Sequence, residues 1–82
     1  MVERVKHMEK CMELVQAALR KGEMHTVRRQ IRTLRTYMES GQWLADYEAD
    51  EHGEFPAGMK RGVLSQDGLY DLLAKIDQHR GG

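Results

Sequence analysis

The sequence predicts an all-α fold: an antiparallel helical hairpin, then a short helix and a C-terminal helix that together form a small bundle. Three observations lead to this class. Apolar residues recur in alternating steps of three and four, which is the period of a helix. Glycine and serine separate the periodic segments. No segment shows the strict alternation of a β-strand, and a chain of 82 residues forms one domain at most.

Residues 2–21 form the first predicted helix. Its main apolar face consists of Val5, Met8, Met12, Val15 and Leu19. Cys11, Leu14 and Ala18 widen this face to about half of the circumference, at roughly 100° per residue. Such a wide face suits a helix between two neighbours, or a helix with one neighbour and a second subunit in a homodimer. Gly22 is the expected end of the helix.

Residues 23–39 form the second predicted helix, with a narrower apolar face. That face consists of Met24, Val27, Ile31, Leu34 and Met38. Because the link at Gly22 is short, the two helices are expected to pack as antiparallel neighbours.

The second half of the chain predicts two further helices around a glycine- and proline-containing loop. Residues 41–52 follow Ser40, which can cap a short helix, and residues 65–79 begin at Ser65, a second capping residue. Residues 53–64 form the loop. The expected structural anchors are Trp43, Tyr47 and Phe55. We expect Trp43 to be mostly buried and to tie the third helix to the hairpin.

Two blocks of sequence resemble a known family. They are "YMESGQWLADYEADEHGEFP" and "KRGVLSQDGLYDLL", and they lie within residues 37–73. The resemblance is to a bacterial family of small helical proteins, domain of unknown function 4298. It implies an all-helical bacterial protein and carries no assigned activity.

Charge is segregated along the chain although the net charge is zero. Residues 20–35 hold six basic residues and one acidic residue, a net of five positive charges. Residues 39–54 hold six acidic residues and no Lys or Arg. With no net positive field, nucleic acid is disfavoured as a partner. The acidic run would also compete with phosphate for the arginines.

The charge pattern predicts internal ion pairs. The basic members are Arg28, Arg32 and Arg35 on one flank of the second helix, and the acidic members are Asp46 and Asp50. The third helix should fold back on the second directly after Ser40 and Gly41. Pairing within the protein is therefore preferred over a solvated stripe or a phosphate-binding stripe. The remaining carboxylates are expected to stay in water and to bind a partner: Glu48, Glu51 and Glu54.

A calcium site of the EF-hand type is disfavoured. Asp46, Glu48 and Asp50 alternate as the first ligands of such a loop do. However, Glu51 stands where the loop needs its turn glycine, and Ala57 stands where it needs a bidentate glutamate.

Zinc and enzyme chemistry are disfavoured as well. His7 and Cys11 lie one helical turn apart, but a zinc site needs further ligands that no nearby spacing supplies. Asp46 and Asp50 could share a proton in a cleft, but nothing in the sequence marks one. We therefore expect no catalytic, cofactor-binding or metal-binding residues.

The predicted function is a non-enzymatic protein-interaction module that binds an unknown protein partner. A single cysteine excludes an internal disulfide and favours the reducing cytoplasm. No segment approaches the roughly 20 apolar residues that span a bilayer, so no membrane association is expected. One alternative is a nucleic-acid-associated or phage-related regulatory or inhibitor protein that uses the arginines of the second helix. Another is an enzyme accessory subunit that docks through its acidic segment.

Overall fold

The computed structural model describes residues 2–65 and 67–81, with the side chains of residues 2–65 and 67–78. Within these residues the elements are α-helices and 3-10 turns, with no β-strand, which confirms the all-α prediction. In chain order they are α1 (Val2–Lys21), a first 3-10 turn (Met24–Val27), α2 (Arg28–Glu39), α3 (Gln42–Glu51), a second 3-10 turn (Gly62–Leu64) and α4 (Gly68–Gly81).

The start of the second predicted helix differs from the structure. The carbonyl of Glu23 accepts hydrogen bonds from the backbone N–H of Thr26, at 3.0 Å, and from the Thr26 hydroxyl, at 2.8 Å. These bonds span three residues rather than four, so Met24–Val27 forms a 3-10 turn and α2 begins only at Arg28.

The ends of α1 and α3 follow from the glycines after them. Gly22 has φ +72°, and the N–H groups of Gly22 and Glu23 bond to the carbonyls of Leu19 and Ala18. This is the Schellman arrangement, in which a left-handed residue, usually glycine, terminates a helix. Gly53, also at φ +72°, ends α3 in the same way.

The last predicted helix begins later than residue 65. Ser65 has an extended backbone, and its hydroxyl oxygen accepts the N–H of Gly68 at 3.1 Å. The serine therefore caps α4 as its position suggested, but the helix itself starts at Gly68.

The wide apolar face of α1 is explained by two neighbours within the same chain. α1 packs against α2 on one side, and against the second 3-10 turn and α4 on another. The central residues Val5, Met12 and Val15 are buried, whereas Leu14 at the margin is 41% exposed. The structure therefore accounts for the width of this face without a second subunit, and a homodimer through α1 stays a prediction.

The buried residues of all four helices form one core. It contains Val5, Cys11, Met12, Val15, Ala18, Val27, Ile31, Leu34, Tyr37, Trp43, Ala49, Phe55, Val63, Leu64, Leu69, Leu72 and Ile76. Each helix in the described part of the chain is too short or too polar to span a membrane.

Candidate functional site

The most unusual buried group is the carboxylate of Asp46, which is fully buried. Its oxygens accept three hydrogen bonds from side chains. Arg4 donates two of them, from Nε to Oδ2 at 2.9 Å and from Nη2 to Oδ1 at 2.5 Å. The hydroxyl of Tyr37 donates the third, to Oδ2 at 2.7 Å. The arginine pairs in the bidentate, fork-like geometry that is strongest for a carboxylate.

Helical spacing places Asp46 in the core. Trp43, Asp46 and Ala49 recur every third residue on α3, and all three are buried. Tyr37 is buried in the last turn of α2, two residues before that helix ends. Because the chain reverses between α2 and α3, the tyrosine hydroxyl reaches a carboxylate only nine residues further on.

The electrostatics of this cluster are those of an ion pair held by hydrogen bonds. Burial alone would raise the pKa of Asp46, but the hydrogen bonds from Arg4 and Tyr37 outweigh burial and hold that pKa below its ordinary value of 3.8. Burial, with the bond to the Asp46 carboxylate, raises the pKa of the Tyr37 hydroxyl far above its usual 10.0. Asp46 is therefore ionised and Tyr37 neutral at neutral pH.

The predicted partners of Asp46 and Asp50 are wrong, although both carboxylates do pair within the protein. Asp46 pairs with Arg4 instead of an arginine of α2. Asp50 pairs with Arg61 in the loop, at 3.2 Å between Oδ1 and Nε. The prediction took its partners from the helix before α3, whereas Arg4 lies 42 residues from Asp46. For Asp50 the partner found, Arg61, is nearer along the chain than any of the three predicted arginines.

The three predicted basic partners lie on a different surface. Arg35 pairs with Asp77 of α4, at 2.5 Å. Arg28 and Arg32 are exposed, and neither forms an ion pair with another described residue. The acidic residues of segment 39–54 therefore do not pair with the arginines of α2. Their expected competition with phosphate for these arginines, which counted against an anionic partner, is absent among the described residues.

Trp43 is buried, with 9% of its surface exposed, as predicted. Its ring stacks on Tyr47 with the centroids 5.1 Å apart. The indole N–H donates to the carbonyl of Val63 at 2.8 Å, so the tryptophan links the loop to α3. The same side chain is part of the core. Phe55, the third predicted anchor, is buried, and Tyr47 is half-buried.

Val63 is the centre of the loop's attachment to the helices. Its side chain is fully buried. Its N–H donates to Oε1 of Glu9 on α1 at 2.8 Å, while its carbonyl accepts the Trp43 indole N–H. Two side chains thus satisfy the N–H and the carbonyl of Val63. Without these hydrogen bonds, burying the two backbone groups would cost free energy. The role of Glu9 could not be predicted from the sequence, because it depends on a contact 54 residues away.

The carboxylates predicted to face a partner are at the surface. Glu48 and Glu51 on α3 and Glu54 after it are exposed. Glu54 lies 3.8 Å from the exposed imidazole of His52. Leu44 is 52% exposed, and it shares one side of α3 with Glu48 and Glu51, four and seven residues later. We call Leu44, Glu48 and Glu51 the acidic face.

The thiol of Cys11 lies beside a histidine but is not activated by its surroundings. Sγ is 3.7 Å from Nε2 of the exposed His7. Cys11 itself is buried, and burial raises the pKa of its thiol. Among the described residues, no three His, Cys, Asp or Glu side chains are grouped so that they could hold a metal ion. The absence of tight metal binding remains a prediction to be measured.

Comparison with known proteins extends the resemblance seen over residues 37–73. No curated protein and no solved structure matches the chain. One family model matches residues 1–79, so it includes α1 and α2 as well as the acidic segment. The chain therefore belongs to the family described as Domain of unknown function (DUF4298).

Proposed function

We propose that the protein is a non-enzymatic interaction module of the bacterial cytosol, and that its acidic face binds a basic amphipathic segment of a partner protein. The observation that carries this proposal is the division among the carboxylates of α3. Asp46 and Asp50 are occupied by Arg4 and Arg61. Glu48 and Glu51 are left exposed beside Leu44.

The chemistry of this face fits a helix or extended segment that carries both Lys or Arg and an apolar side chain. Burying Leu44 against an apolar partner residue would contribute about 1.5–3 kcal/mol at most. Each exposed ion pair to a glutamate would add only about 0–1 kcal/mol. Such an interface is sensitive to salt and selects its partner by charge. An enzyme that uses this protein as an accessory subunit is one kind of partner with this property.

Two further observations support a role without catalysis in a reducing compartment. Asp46 and Asp50, the carboxylate pair that most resembles an acid–base dyad, are held by different arginines, and Asp46 is buried. The single cysteine is buried and its thiol is poorly ionised, which does not suit a nucleophile. It has no second cysteine with which to form a disulfide.

The test is quantitative capture from a lysate of the native host, followed by titration of the captured protein in purified form. The variant is Glu48→Gln/Glu51→Gln, with Leu44→Ser as a second variant. The matched control is Glu3→Gln/Glu23→Gln, which removes the same charge from exposed positions outside α3. We expect both α3 variants to lose the partner that the control retains. Equal capture by all four proteins would refute a docking role for the acidic face.

A further inference from the structure

Apolar area alone does not select the side of α3 that faces the core. The side that is buried carries Trp43, Asp46 and Ala49, whereas Leu44 is 52% exposed and Tyr47 is half-buried. At roughly 100° per residue, Trp43, Leu44 and Tyr47 lie within about 100° of one another around the helix. Burying the leucine and the tyrosine would remove more apolar surface from water than burying an aspartate and an alanine.

The sequence of α3 is therefore compatible with two orientations about the helix axis. In the observed one, which we call the locked orientation, Trp43, Asp46 and Ala49 face the core. In the other, the rolled orientation, the helix is turned by roughly 100°, so that Leu44 and Tyr47 join Trp43 at the core. Asp46 then reaches water, and Ala49 lies on the outer side of the helix.

Polar contacts favour the locked orientation. Arg4 donates to both carboxylate oxygens of Asp46, at 2.9 and 2.5 Å, and the Tyr37 hydroxyl donates to Oδ2 at 2.7 Å. A fork of two parallel bonds fixes direction as well as distance, so these contacts hold only while the carboxylate points inward. Arg4 belongs to α1 and Tyr37 to α2, so α3 is held from two other helices.

The two ends of α3 constrain its rotation only weakly. The helix has ten residues. Gly41 precedes it with φ +88°, and Gly53 follows it with φ +72°. Glycine adopts a wide range of φ at little steric cost, and both glycines lie in open space, with no atom within 4 Å of the position that a Cβ would take. The orientation of the helix therefore depends on the contacts of its side chains.

We propose that Arg4, Tyr37 and Asp46 form a rotational lock that selects the locked orientation of α3. A buried polar contact can fix the arrangement of packed helices, as one buried asparagine fixes the register of a coiled coil. Leu44 and Glu48 each lie about 160° around α3 from Asp46, on either side, so drawing Asp46 inward turns the acidic face outward. The lock rests on contacts within the chain and does not depend on what that face binds.

Two methyl-bearing residues report the orientation in opposite directions. Leu44 is exposed in the locked orientation and faces the core in the rolled one. Ala49, which is 7% exposed in the structure, does the reverse. The experiment measures by NMR how strongly a soluble gadolinium chelate enhances the relaxation of each methyl group. Because unfolding exposes both residues, opposite changes distinguish a roll from a loss of stability.

The lock is removed by Arg4→Met/Tyr37→Phe, which deprives the Asp46 carboxylate of all three hydrogen bonds described above. A milder variant is Arg4→Lys, which keeps the positive charge and loses the fork. The matched control is Ile76→Val, which removes a methyl group from a fully buried residue of α4 and leaves the lock intact. Circular dichroism and thermal unfolding verify that each variant is folded.

We expect the methyl groups of Leu44 to relax faster than that of Ala49 in the wild type and in Ile76→Val. In Arg4→Met/Tyr37→Phe the order should reverse, because burying an unpaired carboxylate costs free energy that rotation of α3 toward water removes. In Arg4→Lys the difference between the two residues should be smaller than in the wild type.

Three outcomes would overturn the proposal. The first is a folded double variant that keeps the wild-type order, since packing and the indole bond of Trp43 to Val63 would then be enough to hold α3. The second is an equal rise in the exposure of Leu44 and Ala49. The third is a reversal in Ile76→Val as well. If the double variant does not fold, Arg4→Lys decides, and an unchanged difference between the two residues in that variant would overturn the lock.

Discussion

Arg4→Met is the substitution that tests the buried ion pair most directly. Methionine keeps much of the apolar stem of arginine but removes both hydrogen bonds to the fully buried Asp46. Among the described residues, the carboxylate is then left with the Tyr37 hydroxyl as its one side-chain donor. Removing one partner of a buried pair costs about 3–5 kcal/mol. Because the Arg4 side chain is 34% exposed, water already screens part of the interaction, and we expect about 3 kcal/mol.

A loss of this size is large for a domain of 82 residues. At about 0.05–0.15 kcal/mol per residue, its free energy of unfolding is roughly 4–12 kcal/mol. A domain of this size loses about 4–8 °C of melting temperature per kcal/mol, so Arg4→Met should lower Tm by roughly 12–24 °C. Urea unfolding, followed by the fluorescence of Trp43, gives the free energy directly.

Arg32→Met is the matched control. It removes the same kind of side chain from an exposed position with no ion pair among the described residues, and we expect it to change the free energy of unfolding by less than about 0.5 kcal/mol. Asp46→Asn added to Arg4→Met should recover part of the loss, because no charge is then buried without its partner. If Arg4→Met and Arg32→Met unfold alike, the ion pair does not stabilise the fold and the reasoning fails.

The same ion pair makes the free energy of unfolding depend on pH in the acid range. Although burial raises the pKa of Asp46, the hydrogen bonds from Arg4 and Tyr37 lower it below 3.8. The unfolded chain therefore binds the proton first as pH falls. This contribution to stability is fully present above pH 3.8 and is lost as pH falls from there through the folded-state pKa. In Asp46→Asn the free energy of unfolding should change less steeply below pH 3.8 than in the wild type.

Four further predictions concern other parts of the molecule. Burial and the Asp46 carboxylate raise the pKa of Tyr37 above 10.0, so the wild type should lose stability above pH 10.0 and Tyr37→Phe should lack that part of the slope in alkaline unfolding. Trp43→Ala should cost about 3–5 kcal/mol in urea unfolding. An unchanged melting temperature would contradict its role as an anchor. Cys11 should react slowly with a thiol reagent in the folded protein and rapidly in urea, and rapid labelling of the folded protein would show that it is accessible. Calorimetry should detect no binding of calcium or zinc at micromolar affinity, and tighter binding would reveal a metal site.

Local chemistry explains the features of the fold that the sequence predicted well. The apolar periodicity of α1 and the left-handed glycines Gly22 and Gly53 depend on residues that are close together in the sequence. Such local features can be predicted from the sequence alone. The 3-10 turn before α2 was missed because it depends on how the Thr26 hydroxyl bonds to one carbonyl. The spacing of apolar residues predicts a continuous helix there, because it contains no information about hydrogen bonds between side chains and the backbone.

The burial of Asp46 had a signal in the sequence, but its partner had none. Asp46 follows Trp43 by three residues, so a helix that buries the tryptophan carries the carboxylate inward. A buried carboxylate requires a positive or hydrogen-bonding partner. Choosing Arg4 over the arginines of α2 requires knowing how the start of α1 lies against α3, which is a property of tertiary packing. The prediction of internal pairing was therefore correct for Asp46 and Asp50, and the named partners were wrong.

The attachment of Val63 has a consequence for the order in which the protein folds. Two of the contacts that hold the loop of residues 53–64 come from Glu9 on one helix and Trp43 on another, at separations of 54 and 20 residues along the chain. Closing such long loops costs entropy before any contact forms. α1 and α2 are joined by a short link at Gly22, so their adjacent ends can meet at a small entropic cost. We therefore expect the loop to order late in folding, after α1 and α3 are in place, and α4 to dock with it. Any fluctuation that separates α1 from α3 would release both together.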